Sequence, residues 1–544
     1  MGMTLPTLDR YPHGANLIID GQPTILLGGQ VHNSSTSCEE SIIATFEKAN
    51  KLNYNFVIGS ISWLQFEPIE GQFDFALLES QIHIAQEQNL KLVLIWFGAY
   101  KNAGSTYAPS WVRNNKDRFA RAVSKQQQDS GRPSQGNAVL SVFSENLKLA
   151  DMTAFQQLLR HLADFDKNHT VVMVQVENEA GLLGSSRDYS QPAEDAWTSQ
   201  VPAGLLSSLE QALLPADQVV RDTWASAGSL TAGTWSEVFG DSWQAHEIFM
   251  AWHFATYIEA LAKAGKAEKA LPMYANAWLG PQAGQDQAGQ WPSGGPSQNV
   301  IAIYKLAAPS LDFVSPDIYV ETAVEQMAIY GRSDNALFIP ESRHNTGNLF
   351  WSLANHAAVG YAVFGGEDGR VGNQLSEAYA VLGQADQVIA TAQKAGTIRP
   401  ILLEDAQLET AVSFGNMTVK ASNSRAKLKR FVEFAGLDLE IRDFQAISEL
   451  EDLAVKIPSN SDSRPFALII QESPTEFLLL GKGVNVDFEM PGSTVEIDNV
   501  EEGYFSDNVW VPRRNLNGDE RLNFLPLNTI GCAKVRVLIF AESA

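Results

Sequence analysis

The stretch Val171–Gly181 reads VVMVQVENEAG. From Val171 to Val176 every residue except Gln175 is apolar, and Glu177, Asn178 and Glu179 follow without a spacer. An apolar run of that length suits a strand buried on both faces, as in a parallel sheet. Carboxylates at its C-terminal end are costly to bury unless paired or used. In a barrel of parallel strands, that end is where chemistry is placed. A partner acid is therefore expected at the end of another strand. Ala336–Glu341, reading ALFIPE, provides one: an apolar run that stops on Glu341, followed by Ser342, Arg343 and His344. Two glutamates on two strand ends form the arrangement that glycoside hydrolysis requires.

The surrounding chain repeats one rhythm of apolar strand, polar or aromatic tip, and helix. Strands are expected at Ile25–Val31, Phe56–Ile61, Leu92–Phe97, the opening stretch, Pro272–Leu279, Phe313–Ile318, Ala336–Glu341 and Gly360–Phe364. Helical patterns fall near Cys38–Leu52, Phe75–Gln88, Met152–Phe165, Leu205–Leu214, Glu247–Ala264 and Leu375–Ala395. Eight such units predict an α/β fold of the (β/α)₈ TIM-barrel type over residues 1–395, with long excursions at 103–150 and 182–245. A doubly wound sheet would show a glycine-rich first turn, and none follows the first strand. From 396 to 544 the texture changes to short β-type runs separated by turns. These are Ala411–Phe414, Phe431–Phe434, Phe466–Ile470, Glu476–Leu480, Thr494–Ile497, Val509–Val511 and Val535–Phe540. They predict a C-terminal antiparallel β domain of sandwich type.

Bulk properties remove several function classes. A net charge of −24 repels phosphate backbones, so no nucleic-acid partner is expected. The two cysteines, Cys38 and Cys532, cannot form a disulfide framework, and the nine histidines include no HExxH cluster. No metal and no cofactor are expected. No apolar run approaches ~18 residues, so no membrane span is expected. The start, MGMTLPTLDRYPHG, lacks a basic and apolar leader pattern, so the expected location is cytoplasmic.

Other strand-end residues are candidates for holding a substrate. Trp63, Tyr100, Trp278 and Tyr319 present aromatic faces that suit a sugar's C–H surface, although large aromatics also simply fill a barrel mouth. Lys101 and Asn102 follow the third strand and suit sugar hydroxyls; solvated loop residues are the plainer reading. His32 is a candidate of lower weight. Strand alternation places Glu177 on the same face as Glu179 and nearer the core, as an orienting group. Arg343, or nearby N–H groups, is expected to keep Glu341 ionised.

QVENEAG at 175–181 resembles the acid/base signature of glycoside hydrolase family 35, and FIPE at 338–341 resembles the matching nucleophile strand. The likeness extends through GGQVH at 28–32, Trp63 with Glu67-Pro68, WFGAYKNA at 96–103, APSWV at 108–112, LGSSRDYS at 183–190 and SPDIY at 315–319. GYFSDNVWVPRRNLNGDE at 503–520 is similar to the β domain of shorter bacterial members. The third strand departs from the family in lacking a Cys-Ala-Glu-Trp run, and the FGGED tip of the eighth strand also differs. The resemblance implies a retaining exo-β-galactosidase, with Glu179 as acid/base, Glu341 as nucleophile and Asn178 on the sugar's 2-hydroxyl. Retention expects the two carboxyls ~5–5.5 Å apart. The exo expectation rests on the two long excursions walling off a pocket. The expected partner is a carbohydrate. The rival readings are a retaining exo-glycosidase of other sugar preference (β-glucosidase, arabinopyranosidase) and a barrel that binds glycans without cleaving them. The β domain is read as a carbohydrate binder, a buttress or a subunit interface, the last making the chain a homo-oligomer.

Overall fold

The computed structural model describes residues 4–130, 139–211, 217–404, 407–423, 426 and 462–541. The expected strand Phe431–Phe434, residues 131–138 of the first excursion and residues 212–214 of the helix expected at Leu205–Leu214 lie outside the described residues.

The chain opens with a small antiparallel sheet that the sequence reading missed: β1 (Thr7–Tyr11), β2 (Gly14–Ile19) and β3 (Gln22–Thr24). Its strands are three to six residues long, and only β2 carries apolar residues in number, so no long apolar run marks them. The barrel strands follow: β4 (Leu26–Gln30), β5 (Phe56–Ser62), β6 (Lys91–Lys101), β7 (Val171–Asn178), β8 (Met273–Trp278), β9 (Phe313–Ile318), β10 (Phe338–Ile339), β11 (Glu341–Ser342) and β12 (Gly360–Phe364). Every ladder between them is parallel, in the order β10-β12-β4-β5-β6-β7-β8-β9-β11. The (β/α)₈ barrel is thus present.

The seventh strand is not the continuous run Ala336–Glu341. It is split at Pro340, so β10 pairs with β12 on one side and β11 pairs with β9 on the other. Proline has no N–H to donate to a ladder, and the barrel closes across this break.

Alternation sorts the barrel's side chains. Phe56 and Ile58, Val93, Ile95 and Phe97, Tyr274, Phe313, Phe338 and Ala362 fill the lumen, and Ala15, Leu17 and Ile19 of β2 plug its lower end. Val57, Leu92, Leu94, Trp96, Val174 and Val176 face the surrounding helices. Two long helices cover β6 to β8. Glu145–Phe165 is started by Ser144, whose side chain accepts from Leu147 N, and Trp243–Glu268 by Ser242 accepting from Ala245 N. Among the described residues, no helix is long and apolar enough to cross a membrane.

The helical run expected over Leu375–Ala395 is two helices, Gln374–Gly383 and Asp386–Ala395. The chain breaks where Gln384 C=O accepts from Asn508 N of the β module. That module contains β13 (Ile398–Leu402), β14 (Glu409–Phe414), β15 (Met417–Ser422), β16 (Phe466–Ser473), β17 (Glu476–Lys482), β18 (Asn485–Glu489), β19 (Ser493–Ser506), β20 (Val509–Asn515) and β21 (Gly531–Ala541). A six-stranded sheet, β13-β16-β17-β21-β19-β20, packs on a three-stranded one, β14-β15-β18, and every ladder is antiparallel. The period of two along β16 divides its contacts: Phe466, Leu468 and Ile470 join the barrel's core, whereas Ala467 and Ile469 join the core between the two sheets. β16 is therefore buried on both faces.

Phe466 is fully buried and packs on Phe350 of the helix Thr346–His356, with ring centroids 4.8 Å apart. Phe466→Ala is expected to lower the unfolding free energy by about 3–5 kcal/mol, measured by chemical denaturation.

Candidate active site

Glu179 and Glu341 open into one cavity of about 390 Å³ at the C-terminal end of the barrel. The other lining residues are Asn33, Lys101, Asn102, Trp278, Leu279, Gln282, Asp317, Tyr319, Val320 and Phe364. The structure thus brings together Glu179, Glu341, Lys101, Asn102, Trp278 and Tyr319 from the sequence reading. A larger cavity, about 850 Å³, lies alongside between the tips of β9 and β11 and the β module, and contains neither acid.

Glu341 is held by neutral donors. Gln30 Nε2 donates to its Oε1 at 2.6 Å, and Tyr319 OH donates to its Oε2 at 2.5 Å. Donors aimed at a carboxylate favour its charged form. Burial, then the charge of Glu341, pushes the Tyr319 phenol up, so it stays a donor. Arg343, expected to serve this purpose, instead pairs with Glu321 on the surface at 2.8 Å. A residue two places beyond the strand-end acid has already left the barrel mouth.

Glu179 has the opposite surroundings. Burial first, then the charge of Glu341, pushes its carboxyl up to about 7, against the opposing effects of Lys101 and a hydrogen bond from Asp317. Its backbone is fixed by Asn276, whose Oδ1 accepts from Glu179 N at 2.8 Å while its Nδ2 donates to Asp317 Oδ2 at 2.7 Å. Two acids in one cavity therefore have different surroundings, Glu341 held by two neutral donors and Glu179 pushed up by burial and by its neighbour.

The turn out of β7 does not follow strand alternation. Glu177 and Glu179 both have positive φ, 63° and 45°, a region that costs non-glycine residues energy and that functional sites tolerate. Glu177 consequently turns outward, away from the face of Glu179 on which it was expected. Its oxygens accept from Ala99 N at 3.1 Å and Tyr100 N at 2.8 Å, and it is hydrogen-bonded to Asp151 on the helix Glu145–Phe165. Asp151 in turn accepts from Trp96 Nε1, Ala99 N and Tyr257 OH. Burial raises both carboxyls, and the charge of Asp151 raises Glu177 further while the hydrogen bond from Glu177 lowers Asp151, so this pair holds a proton on Glu177. It clamps the bulge in β6, where the register jumps from Trp96↔Val176 to Lys101↔Asn178. Gly98 lies within it: a Cβ there would meet Trp96 Nε1 at 2.4 Å and Asp151 and Glu177 oxygens at 2.6 Å. The bulge aims Lys101 and Asn102 into the cavity.

Four expected contacts lie elsewhere. Trp63 is fully buried, donates from its indole N–H to Glu67 at 2.7 Å and packs edge-on against Trp111. Tyr100 is fully buried against Phe254 and Tyr257 on the helix side. Both are wall-fillers, because at Trp63 the chain has already entered a short helix and at Tyr100 the β6 bulge turns the ring outward. His32 is on the rim, 2.8 Å from Asp368, and does not line the cavity. Asn178 is buried behind the wall. Its Oδ1 accepts from Gln175 at 3.0 Å and Asn276 at 3.3 Å, and its Nδ2 donates to Asn102 Oδ1 at 3.0 Å. The walls come from the tips of β4, β6, β8, β9 and β12; beyond Lys101 and Asn102, the excursions 103–150 and 182–245 contribute no lining residue among those described.

Sequence reasoning missed Gln30 and Asp317 as site members, although both lie inside quoted motifs, GGQVH and SPDIY. The signal was position: each is a polar residue at or near the C-terminal end of an apolar barrel strand.

Comparison with known proteins adds to this geometry. Residues 33–237 match the glycoside hydrolase family 42 model, described as "Beta-galactosidase". The match covers β5 to β7 and Glu179, less than half of the chain. Residues 375–527 match a domain of unknown function, DUF5597. No curated protein matches the chain in sequence. Among solved structures, a β-galactosidase from Rahnella sp. R3 is 12% identical, covering 95% of this chain and 98% of that one with a TM-score of 0.47. A β-galactosidase from Bacillus circulans sp. alkalophilus is 14% identical over 68% of this chain, TM-score 0.45. A β-mannanase from Mytilus edulis is 12% identical over 70%, TM-score 0.40. The chain spans 57% and 60% of the lengths of the first two β-galactosidases it matches. The family whose model matches is 42, so the particular assignment to family 35 is not supported. In its barrel, its strand-end acids and its partial family match, the chain is similar to glycoside hydrolases of the barrel type.

The raised carboxyl of Glu179 has a stability consequence. A group whose folded pKa lies above its unfolded value favours folding most at low pH, and that contribution is lost as pH rises from about 4.5 through about 7. Glu179→Gln is therefore expected to stabilise the fold by about 2–3 kcal/mol at a pH of about 8 and to leave it nearly unchanged at about 4, read from denaturation curves at both pH values.

Proposed function

We propose that this enzyme is a retaining, exo-acting β-galactosidase that removes terminal β-D-galactosyl units from oligosaccharides or polysaccharide side chains. The observation that carries the reading is the pairing of two strand-end acids in one cavity, with Glu179 pushed up to about 7 beside a Glu341 held by Gln30 and Tyr319. The sugar assignment rests on the description of the family 42 model.

In the first half-reaction a Glu341 oxygen attacks the anomeric carbon while Glu179 transfers its proton to the departing glycosidic oxygen. The C–O bond to the leaving group breaks as the bond to Glu341 forms. Esterified Glu341 is uncharged, so the repulsion that raised Glu179 disappears and its carboxylate can take a proton from water. That water attacks the anomeric carbon from the face the leaving group vacated and frees Glu341. Two inversions give net retention. Asn102 is placed to meet sugar hydroxyls: its Oδ1 is occupied by Lys101 and Asn178, which leaves its amide N–H groups for the ligand. Asn178 acts through Asn102. Trp278, 38% exposed at the cavity edge, offers a ring face to the sugar.

The exo assignment is supported by size. A cavity of about 390 Å³ lies at the low end of the ~300–1,000 Å³ range of ligand sites and suits a chain end rather than an extended polymer.

A panel of p-nitrophenyl glycosides tests the sugar. Fastest turnover on the β-D-galactoside is expected; faster turnover on the β-glucoside or α-L-arabinopyranoside would select a rival exo-glycosidase, and a fully inert wild type would select the glycan-binding barrel. Glu341→Ala should lose at least about 10⁴-fold in kcat and, with azide, release the α-galactosyl azide. The β anomer would reassign the nucleophile. For the wild type, kcat/KM should fall as pH rises through about 7, where free Glu179 loses its proton.

A further inference from the structure

Asp317 lies next to the end of β9, directly opposite Glu341 in the β9–β11 register. It is 2% exposed, yet lines the cavity. Asn276 Nδ2 occupies its Oδ2 at 2.7 Å. No N–H or hydroxyl donor reaches its Oδ1; the group hydrogen-bonded to this carboxyl is Glu179. Two carboxyls in such contact must hold a proton between them, because two bare ones repel.

Charge counting locates the proton. The charged groups that line the cavity are Glu179, Asp317, Glu341 and Lys101. In the resting enzyme of the proposed reaction Glu179 carries its proton and Glu341 is bare, so the Lys101 ammonium balances one carboxylate. In the glycosyl-enzyme Glu341 is esterified and Glu179 is bare, so the balance is the same. An ionised Asp317 would add one uncompensated charge to a buried site in both states, at a cost several-fold that in water.

We propose that Asp317 is kept as a neutral carboxylic acid through both half-reactions and donates its O–H to Glu179, as a positioning residue for the acid/base. This deepens the retaining reading and rests on it for its role in turnover. The groups that face Asp317 are Glu179 just past β7, Glu341 on β11, Lys101 on β6, Tyr274 on β8, and Tyr319 and Tyr330 beyond β9. Burial, then Glu341 and Glu179, pushes its carboxyl well above the usual range, against Lys101 alone. The donated proton also lowers the Glu179 carboxyl, which makes it the stronger acid of the two.

The test compares the full chain with its Asp317→Asn and Asp317→Leu variants. Infrared difference spectra at a pH of about 7, without substrate, should show a protonated-carboxyl C=O band in the wild type that both variants lack. Asn keeps a neutral donor, so Asp317→Asn should hold kcat/KM on the p-nitrophenyl galactoside within about tenfold and leave the alkaline limb in place. Leu removes the donor, so Asp317→Leu should lose more than about 100-fold and move that limb to higher pH. Absence of the band from the wild type overturns the proposal. So does a limb that moves to lower pH in Asp317→Asn, the mark of a removed negative charge. The infrared result needs no turnover, so it stands even where every glycoside of the panel proves inert.

Discussion

One constraint organises the site: three carboxyls, Glu179, Asp317 and Glu341, share a buried cavity with a single ammonium, Lys101. Three bare carboxylates there would repel one another without compensation, so the cavity must hold protons. Which acid holds them is decided by neighbours. Gln30 and Tyr319 give Glu341 two donors, and Glu179 and Asp317 receive each other. In the proposed reaction, the difference between nucleophile and acid is thus built from neutral hydrogen-bond donors, without an arginine at Glu341.

The backbone carries the cost of this arrangement. Positive φ at Asn102, Ala103, Glu177 and Glu179 gathers four strained residues at the tips of two adjacent strands, β6 and β7. The strain is locked from outside by the protonated Glu177–Asp151 pair, which grips the amides of Ala99 and Tyr100. A deep acid pair that touches no substrate therefore sets where Lys101 and Asn102 emerge. On the far side of the barrel, the β module is fastened through Phe466, Leu468 and Ile470, which ties its larger sheet to the helices behind β10 to β12.

Much of this was legible in the residues. The strands expected at Phe313–Ile318 and Gly360–Phe364 begin and end where the pattern places them. Both strand-end glutamates reach one cavity, as barrel geometry requires. The failures have local causes. Pro340 splits a strand whose hydrophobicity is continuous, because a ladder needs N–H groups that hydropathy does not count. Glu177 leaves the expected face because alternation presumes extended φ at every residue. Trp63 and Tyr100 look like platform residues in one dimension, but a short helix and a bulge turn them into the wall. Asp317 went unrecognised because it stands one residue short of the end of its expected strand, and only the β9–β11 register shows it facing Glu341.

The central claim is that Glu341 is the bare acid that bonds to the sugar while Glu179 carries the proton. Covalent trapping tests it most directly. The wild-type enzyme treated with a 2-deoxy-2-fluoro-β-galactosyl fluoride, then digested and analysed by mass spectrometry, should carry one fluorogalactosyl group on the peptide containing Glu341. A label on Glu179 or Asp317 would contradict the assignment, and an active enzyme that turns over galactosides but takes no label would contradict the double displacement itself.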